Sequence, residues 1–270
     1  MAATTILVTG ATGGIGLETA RALARQGARV LIGARDASRG RAVVDGIGGE
    51  GGRAELLLVD LASFASVREA ATRTLAAHPS IDVLVNNAGT ARRHRRLTAD
   101  GHEVTWQTNF LGPFLLTRLL LPALRAAGEP RVVDVASEAH RSGRIDFANL
   151  ELERGWSTYR AYANTKLANV LFTRELARRE PGIAANAVHP GVIATNIWEP
   201  APAWAAAIAR MFMRRPASGA RPVVRLASSP ELRGVSGRYF DRFREATPSE
   251  AARNDADARR LWEIAERDVG

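Results

Sequence analysis

Of the 37 lysine and arginine side chains in this sequence, all but one are arginine, and the exception is Lys166. It closes the run Tyr162-Ala163-Asn164-Thr165-Lys166. Arginine is a wide planar fork that stays charged, whereas an ε-ammonium is a compact point charge on a flexible stem. A chain that keeps one lysine has a use for it that arginine does not fill. Four residues of helix place Tyr162 and Lys166 one above the other on the same face. A cation beside a phenol favours the phenolate and lowers the tyrosine pKa from its reference of about 10. The pair therefore points to a tyrosine working as general acid or base near neutral pH.

A second constellation opens the chain. The apolar run Thr5–Thr9 leads directly into Gly10-Ala11-Thr12-Gly13-Gly14-Ile15-Gly16 and then a helical pattern. Glycines at such a turn allow a tight bend, close approach of backbone to a pyrophosphate, and close packing of helix on strand. A dinucleotide is the implied ligand, and the loop residues Gly10, Thr12, Gly13, Gly14, Ile15 and Gly16 are its candidate contacts. The ribose-reading position falls at the end of the second strand, where Ala34 replaces the carboxylate of an NAD site and Arg35 follows it. A guanidinium suits a 2′-phosphate by charge and by forked geometry, so the expected cofactor is NADP(H).

The elements that must position these groups alternate along the chain. Strand patterns at 5–9, 29–34, 54–59, 81–85, 131–136, 184–188 and 237–240 are separated by helical patterns at 14–26, 38–47, 63–77, 104–127, 160–179 and 249–267. This βα order predicts a doubly wound parallel sheet, Rossmann-like, in a three-layer α/β/α arrangement covering residues 1–270 as a single domain.

Composition narrows the function classes. There is no cysteine, so disulfides, thiol nucleophiles and zinc–thiolate sites are excluded. The five histidines show no metal-ligand spacing, and no metal site is expected. The formal net charge of +9 would suit a nucleic-acid binder, but the arginines are spread among 28 acidic residues without an aromatic-interleaved basic stripe. No nucleic-acid partner is expected. The dense run Arg92-Arg93-His94-Arg95-Arg96 reads as a solvated loop, with steering of an acidic substrate as the alternative. The longest apolar stretch, 110–124, contains Pro113 and Arg118 and is too short for a membrane span. With a first strand starting at Thr5, no leader is expected, and the localisation expected is cytoplasmic.

The glycine loop, Asn86-Asn87-Ala88-Gly89 and Tyr162-x-x-x-Lys166, in this order and at these separations, resemble the short-chain dehydrogenase/reductase family. The branch it looks most like is that of the retinol dehydrogenases, through 109–117, 162–172, His189-Pro190-Gly191, Gly237-Arg238-Tyr239-Phe240 and Leu261-Trp262. The resemblance implies a catalytic set of Asn109, Ser137, Tyr162 and Lys166, with Ala136-Ser137 where the family usually has two serines. Ser137 would hold the substrate oxygen and Tyr162 would exchange the proton. Lys166 would bind the nicotinamide ribose and lower the tyrosine pKa, and Asn109 would hold a relay water through its backbone. The resemblance also implies that Asp60 and Leu61 lie at the adenine and Asn87, Ala88 and Gly89 along the cofactor. Asn86 would brace the sheet beside the cofactor, and Ile193 and Thr195 would hold the nicotinamide carboxamide, with Pro190 and Gly191 as further cofactor contacts.

The implied activity is NADP(H)-dependent interconversion of a carbonyl and an alcohol on a small, apolar or aromatic molecule, by a homo-oligomer, dimer or tetramer. Substrate would enter under residues 196–215, which carry Trp198, Trp204, Ile208, Met211, Phe212 and Met213 and suit an apolar lid. Two other readings stand beside it: an NADP-binding regulatory or scaffold protein without turnover, and sugar-nucleotide epimerase or dehydratase chemistry.

Overall fold

The computed structural model describes residues 4–191 and 215–270. Its centre is an eight-stranded sheet in the order β3-β2-β1-β4-β5-β6-β7-β8. The strands are β1 Thr5–Thr9, β2 Arg29–Ala34, β3 Arg53–Leu58, β4 Val83–Asn86, β5 Arg131–Val135, β6 Ala184–His189, β7 Arg238–Asp241 and β8 Arg244–Glu245. β1 to β7 are parallel, and β8 turns back antiparallel on β7 as a short edge. The chain winds outward from β1 to β3 and then crosses to β4 on the other side of β1. That reversal opens a crevice at the carboxyl ends of β1 and β4.

Alternation along the strands sorts the core into two layers. Ile6, Val8, Val30, Ile32, Val83 and Val85 pack toward one layer of helices, while Leu7, Leu31 and Leu84 pack toward the other. The first layer holds α1 Gly14–Arg25, α2 Ala37–Gly49 and α7 Pro216–Ser228. The second holds α3 Phe64–Ala77, α4 Val104–Trp106, α5 Gly112–Arg125, α6 Thr158–Arg179 and α8 Asp255–Asp268. Phe114 of α5, fully buried, meets Phe172 of α6 edge-on at 5.7 Å and Trp262 of α8 at 4.9 Å. An aromatic side chain buried this way contributes roughly 2–3 kcal/mol. It ties the terminal helix to the helix that carries Tyr162.

The structure moves several expected boundaries. The helix expected over 249–267 starts only at Asp255, where Asn254 caps it by accepting from the Ala256 and Asp257 N–H groups; a 3₁₀ turn at Ala251–Arg253 precedes it. The 104–127 stretch, expected as one long or two adjoining helices, is two, α4 and α5, joined by a π turn at Gln107–Leu111. Helix α7 had no counterpart in the sequence reading, because Pro216 and Pro222 masked it; Pro216 stands in its first turn, where a missing N–H costs nothing. Among the described residues no helix is long and apolar enough to cross a membrane. No group of His, Cys, Asp or Glu among them could hold a metal ion.

Candidate active site

The loop after β1 is shaped by contacts that leave no space for a side chain. Gly10 has φ +66°, and a Cβ there would lie 2.8 Å from the Ala88 Cα; a Cβ on Gly16 would overlap the Asn87 amide and the Gly10 carbonyl. The Asn87 amide donates to the Thr9 carbonyl at 2.8 Å, and the Thr9 hydroxyl accepts the Asn87 and Ala88 N–H groups at 3.0 and 3.1 Å. These bonds hold the ends of β1 and β4 together at the crevice. Helix α1 begins at Gly14 with Gly13 as its cap, and no side chain accepts from its first N–H groups. Thr12, Gly13, Gly14 and Ile15 thus present unclaimed donors and a positive helix end, which fit a pyrophosphate.

Ala34 is buried at the end of β2, and Arg35 beyond it is exposed. Asp36 caps α2 by accepting the Arg39 N–H at 3.0 Å. One turn on, the Arg39 guanidinium reaches back and donates to the Thr12 carbonyl at 3.3 Å, which places it over the outer edge of the glycine loop. The sequence singles out Arg35 but not Arg39, whose signal is its place in the first turn of the helix that Asp36 caps.

Asp60 follows β3 and closes the turn into α3, its carboxylate accepting the Ala62 N–H at 2.9 Å. Leu61 is buried directly against Gly112 of α5. Gly89 follows Ala88 at the mouth of the crevice. Pro190 and Gly191 end β6 on the same sheet edge, Gly191 with φ +98°. Ile193, Thr195 and the lid expected over 196–215, apart from Arg215, lie outside the described residues.

The second group gathers beside that edge. Ser137 stands two residues beyond β5, capping a 3₁₀ turn at Glu138–Ser142, with its hydroxyl accepting the Ala139 N–H at 3.2 Å. Tyr162, in the second turn of α6, is buried and its phenol hydrogen-bonds to the Ser137 side chain. Lys166 is fully buried one turn further on; its ammonium donates to the Val135 carbonyl at 2.7 Å and lies 5.6 Å from the Tyr162 ring centroid. Asn109 sits in the π turn, a distortion that recurs at functional sites because it re-aims one backbone segment. Its side chain is wholly engaged, accepting the Thr90 N–H at 2.8 Å and donating to the Thr90 carbonyl at 2.9 Å and the Thr165 hydroxyl at 3.1 Å. With the Asn169 amide in the orientation that satisfies both its ends, that amide donates to the Asn109 carbonyl at 3.0 Å.

One electrostatic expectation needs correcting. The sequence suggested that Lys166 lowers the Tyr162 pKa, but burial dominates and pushes the phenol up, with the Ser137 hydrogen bond opposing. The lysine itself is pushed down to about 8 by burial, and the nearby Asp134 charge opposes this. Asp134 lies in the middle of β5 and was not anticipated. Its carboxylate accepts from the Asn86 amide at 2.9 Å and the Thr173 hydroxyl at 2.7 Å, and burial raises it to about 6. Asn86 also donates to the Thr117 hydroxyl at 3.1 Å, so the network spans β4, β5, α5 and α6. The signal was in the sequence: an acid inside Arg131-Val132-Val133-Asp134-Val135, a run otherwise fit for a buried strand.

A doubly wound sheet with an uncapped glycine-loop helix at its switch point and a buried Tyr–Lys pair beside it defines an oxidoreductase of the dinucleotide-binding α/β class. The family model for short chain dehydrogenase matches residues 4–206, and the chain belongs to that family. It is 39% identical to mouse retinol dehydrogenase 14, over 98% of this chain and 86% of the relative. It is 44% identical to mouse polyprenol dehydrogenase, over 95% of this chain and 81% of that protein. Among solved structures, it superposes on a variant of actinorhodin polyketide ketoreductase with NADPH at TM-score 0.69 and 27% identity, covering 88% of this chain and 95% of the other. The protein is thus an oxidoreductase of this family acting on alcohols or carbonyls with a nicotinamide cofactor.

Proposed function

We propose that the protein is an NADP(H)-dependent reductase of apolar aldehydes or ketones, running in reverse as an alcohol dehydrogenase, with Tyr162 as its proton donor and acceptor. The observation that carries this reading is the meeting of Tyr162, Ser137 and Lys166 on one sheet edge beside the glycine loop. The nicotinamide supplies or accepts the hydride at the carbonyl carbon. Ser137 holds the substrate oxygen, and the Tyr162 phenol delivers its proton to that oxygen as the alcohol forms. In the other direction the phenolate takes the proton back. Lys166, a buried cation one turn away, offsets the charge left on the phenol. Asn109 joins the Thr90 loop to α6 and keeps the crevice mouth in place.

Arg35 and Arg39 form the 2′-phosphate site, since Arg35 follows β2, Arg39 reaches back from the first turn of α2, and Ala34 stands where an NAD site has its carboxylate. The apolar substrate class is supported by relatives named for retinol and polyprenol, both long isoprenoid alcohols. The test is NADPH consumption against NADH consumption with a panel of retinal, shorter isoprenoid aldehydes and aromatic ketones. NADPH-linked turnover with the isoprenoid members is expected. NADPH binding without turnover on any member would instead favour the regulatory-protein reading.

A further inference from the structure

The most completely engaged titratable side chain near the crevice lies three residues after Ser137. His140 has no exposed surface. Its Nδ1 is 2.8 Å from the Ser137 carbonyl oxygen, and its Nε2 accepts the Ser249 backbone N–H at 3.1 Å. An acceptor Nε2 leaves the single ring proton on Nδ1, where the Ser137 carbonyl takes it, so the contacts specify a neutral ring in one tautomer. The ring also packs on Tyr239 of β7 at 4.7 Å between centroids.

The same turn makes two other ties. Arg141 donates to the Thr247 carbonyl at 3.0 Å, and the Tyr239 hydroxyl of β7 donates to Glu138 at 3.1 Å. Ala246 in turn donates to the Tyr239 carbonyl at 2.9 Å. The turn carrying Ser137 is therefore tied to the segment after β8, far along the chain. Those other ties end on Glu138 and Arg141, whereas the imidazole ends on Ser137 itself.

We propose that His140 is a positioning residue for Ser137, a neutral bridge that holds the serine at the distance the substrate oxygen requires. This rests on the reading of Ser137 given above, and it assigns to the 244–253 segment a part in the reaction geometry. The bridge works only while the ring is neutral, because a protonated Nε2 repels the Ser249 N–H it now accepts. The charged and titratable groups around it are Glu138 and Arg141 on its own turn, His189 at the end of β6, and Tyr239 and Asp241 of β7. Tyr159 of α6 reaches the same turn through Ser142 at 2.7 Å. Burial holds the imidazole below its ordinary pKa against the Ser137 carbonyl, which favours the charged ring; Arg141 adds to the depression and Glu138 opposes it.

The test uses the full chain and two replacements that each keep half of the bridge. His140→Asn keeps a donor for the Ser137 carbonyl, and His140→Gln keeps an acceptor for the Ser249 N–H. Each is expected to lower kcat with retinal at least tenfold while leaving KM and the NADPH dissociation constant within about twofold. The decisive arm is a cycle with Ser137→Ala: if His140 acts through Ser137, His140→Gln costs nothing further in that background. Equal losses of kcat in both backgrounds overturn the proposal, and so does a loss of thermal stability with kcat unchanged.

A second readout needs no turnover, so it separates failure of this inference from failure of the proposed reaction. Nitrogen-15 spectra of histidine-labelled protein, assigned with the two variants, are expected to show His140 with a protonated Nδ1 and a bare Nε2 from pH 8 to 5.5. The opposite tautomer, or a ring that charges within that range, overturns the bridge.

Discussion

The two halves of the sheet recognise their ligands in different ways. From Thr4 to Asp60 the fully buried polar side chains are Thr9 and Thr19 alone, and the layer behind β1 and β2 is apolar. The cradle there is made of backbone, and Arg35 and Arg39, the cations proposed for a 2′-phosphate, stand on the surface. Beyond β4 the interior fills with polar groups: Asn86, Asn109, Thr117, Asp134, His140, Thr165, Lys166 and Thr173 are all buried and, His140 and Lys166 included, hydrogen-bonded to other parts of the site. Cofactor choice in the first half can change at little cost to folding. In the second half the groups proposed to handle the proton also hold the elements together, so activity and stability should be altered by the same substitutions.

The largest effect expected from breaking this contrast is at the only lysine. Lys166→Arg keeps the charge but cannot seat a wide fork in a site that is fully buried, so kcat should fall at least 10²-fold. Tyr162→Phe should abolish turnover with NADPH binding retained. A Lys166→Arg protein with near-normal kcat and an unchanged thermal midpoint would mean the pair merely packs a helix.

Asp134 comes next. Its folded-state pKa is raised from an ordinary value to about 6, so ionisation costs stability, and that cost appears as pH rises from about 4 through 6. Asp134→Asn has no such ionisation, so the wild type should gain thermal midpoint relative to the variant as pH falls from 7 to 5. The variant also loses the charge that opposes the depression of Lys166, and its alkaline loss of activity should move to lower pH. Asp134→Leu, which leaves one N–H of the Asn86 amide without an acceptor while the Thr173 hydroxyl turns to the Asn169 carbonyl, should cost about 1–3 kcal/mol. Paired melts and pH–rate profiles check all three, and identical profiles for wild type and Asp134→Asn would detach Asp134 from the reaction.

In the cradle the expected effects are smaller and purely functional. Arg35→Ala and Arg39→Ala should each raise KM for NADPH about tenfold, leave NADH kinetics alone, and shift the melting temperature by less than a degree or two. A stability loss matching the kinetic loss would erase the contrast between the halves. The smallest effect concerns Arg92–Arg96. If this run steers an acidic substrate, added salt should lower kcat/KM, and replacing Arg95 and Arg96 should flatten that slope. With an apolar aldehyde the profile should be flat before and after replacement.

Legibility in the sequence follows the same division. The glycine loop and the βα order were readable because each depends on local patterns: an apolar run, a turn composition, a helical repeat. Tyr162 and Lys166 were readable because both lie on one helix. Asp134 was visible only as an acid inside a strand pattern, and its partner Thr173, like the Ser249 that meets His140, lies far along the chain, where no local period reports it. Arg39 lay between these cases, visible in the first turn of the helix that Asp36 caps but assigned only by its reach to Thr12. Helix α7 was obscured by its two prolines, and the start of α8 by a polar run that caps rather than continues a helix.

The π turn at Gln107–Leu111 has a consequence for how this chain tolerates insertions and deletions. A π turn closes its hydrogen bonds from i to i+5, so it spends one residue more than an α turn on about the same rotation. The additional residue is absorbed locally, and Phe114, which meets Trp262, and Thr117, which meets Asn86, keep the bearings that regular winding would also give them. Removing one residue there would restore regular winding with both side chains near their present places, while Asn109 would lose the bulged position from which it joins Thr90 to α6. The irregularity thereby serves the crevice mouth and spares the interior, and a one-residue deletion within those five residues should disturb the Asn109 contacts more than the core.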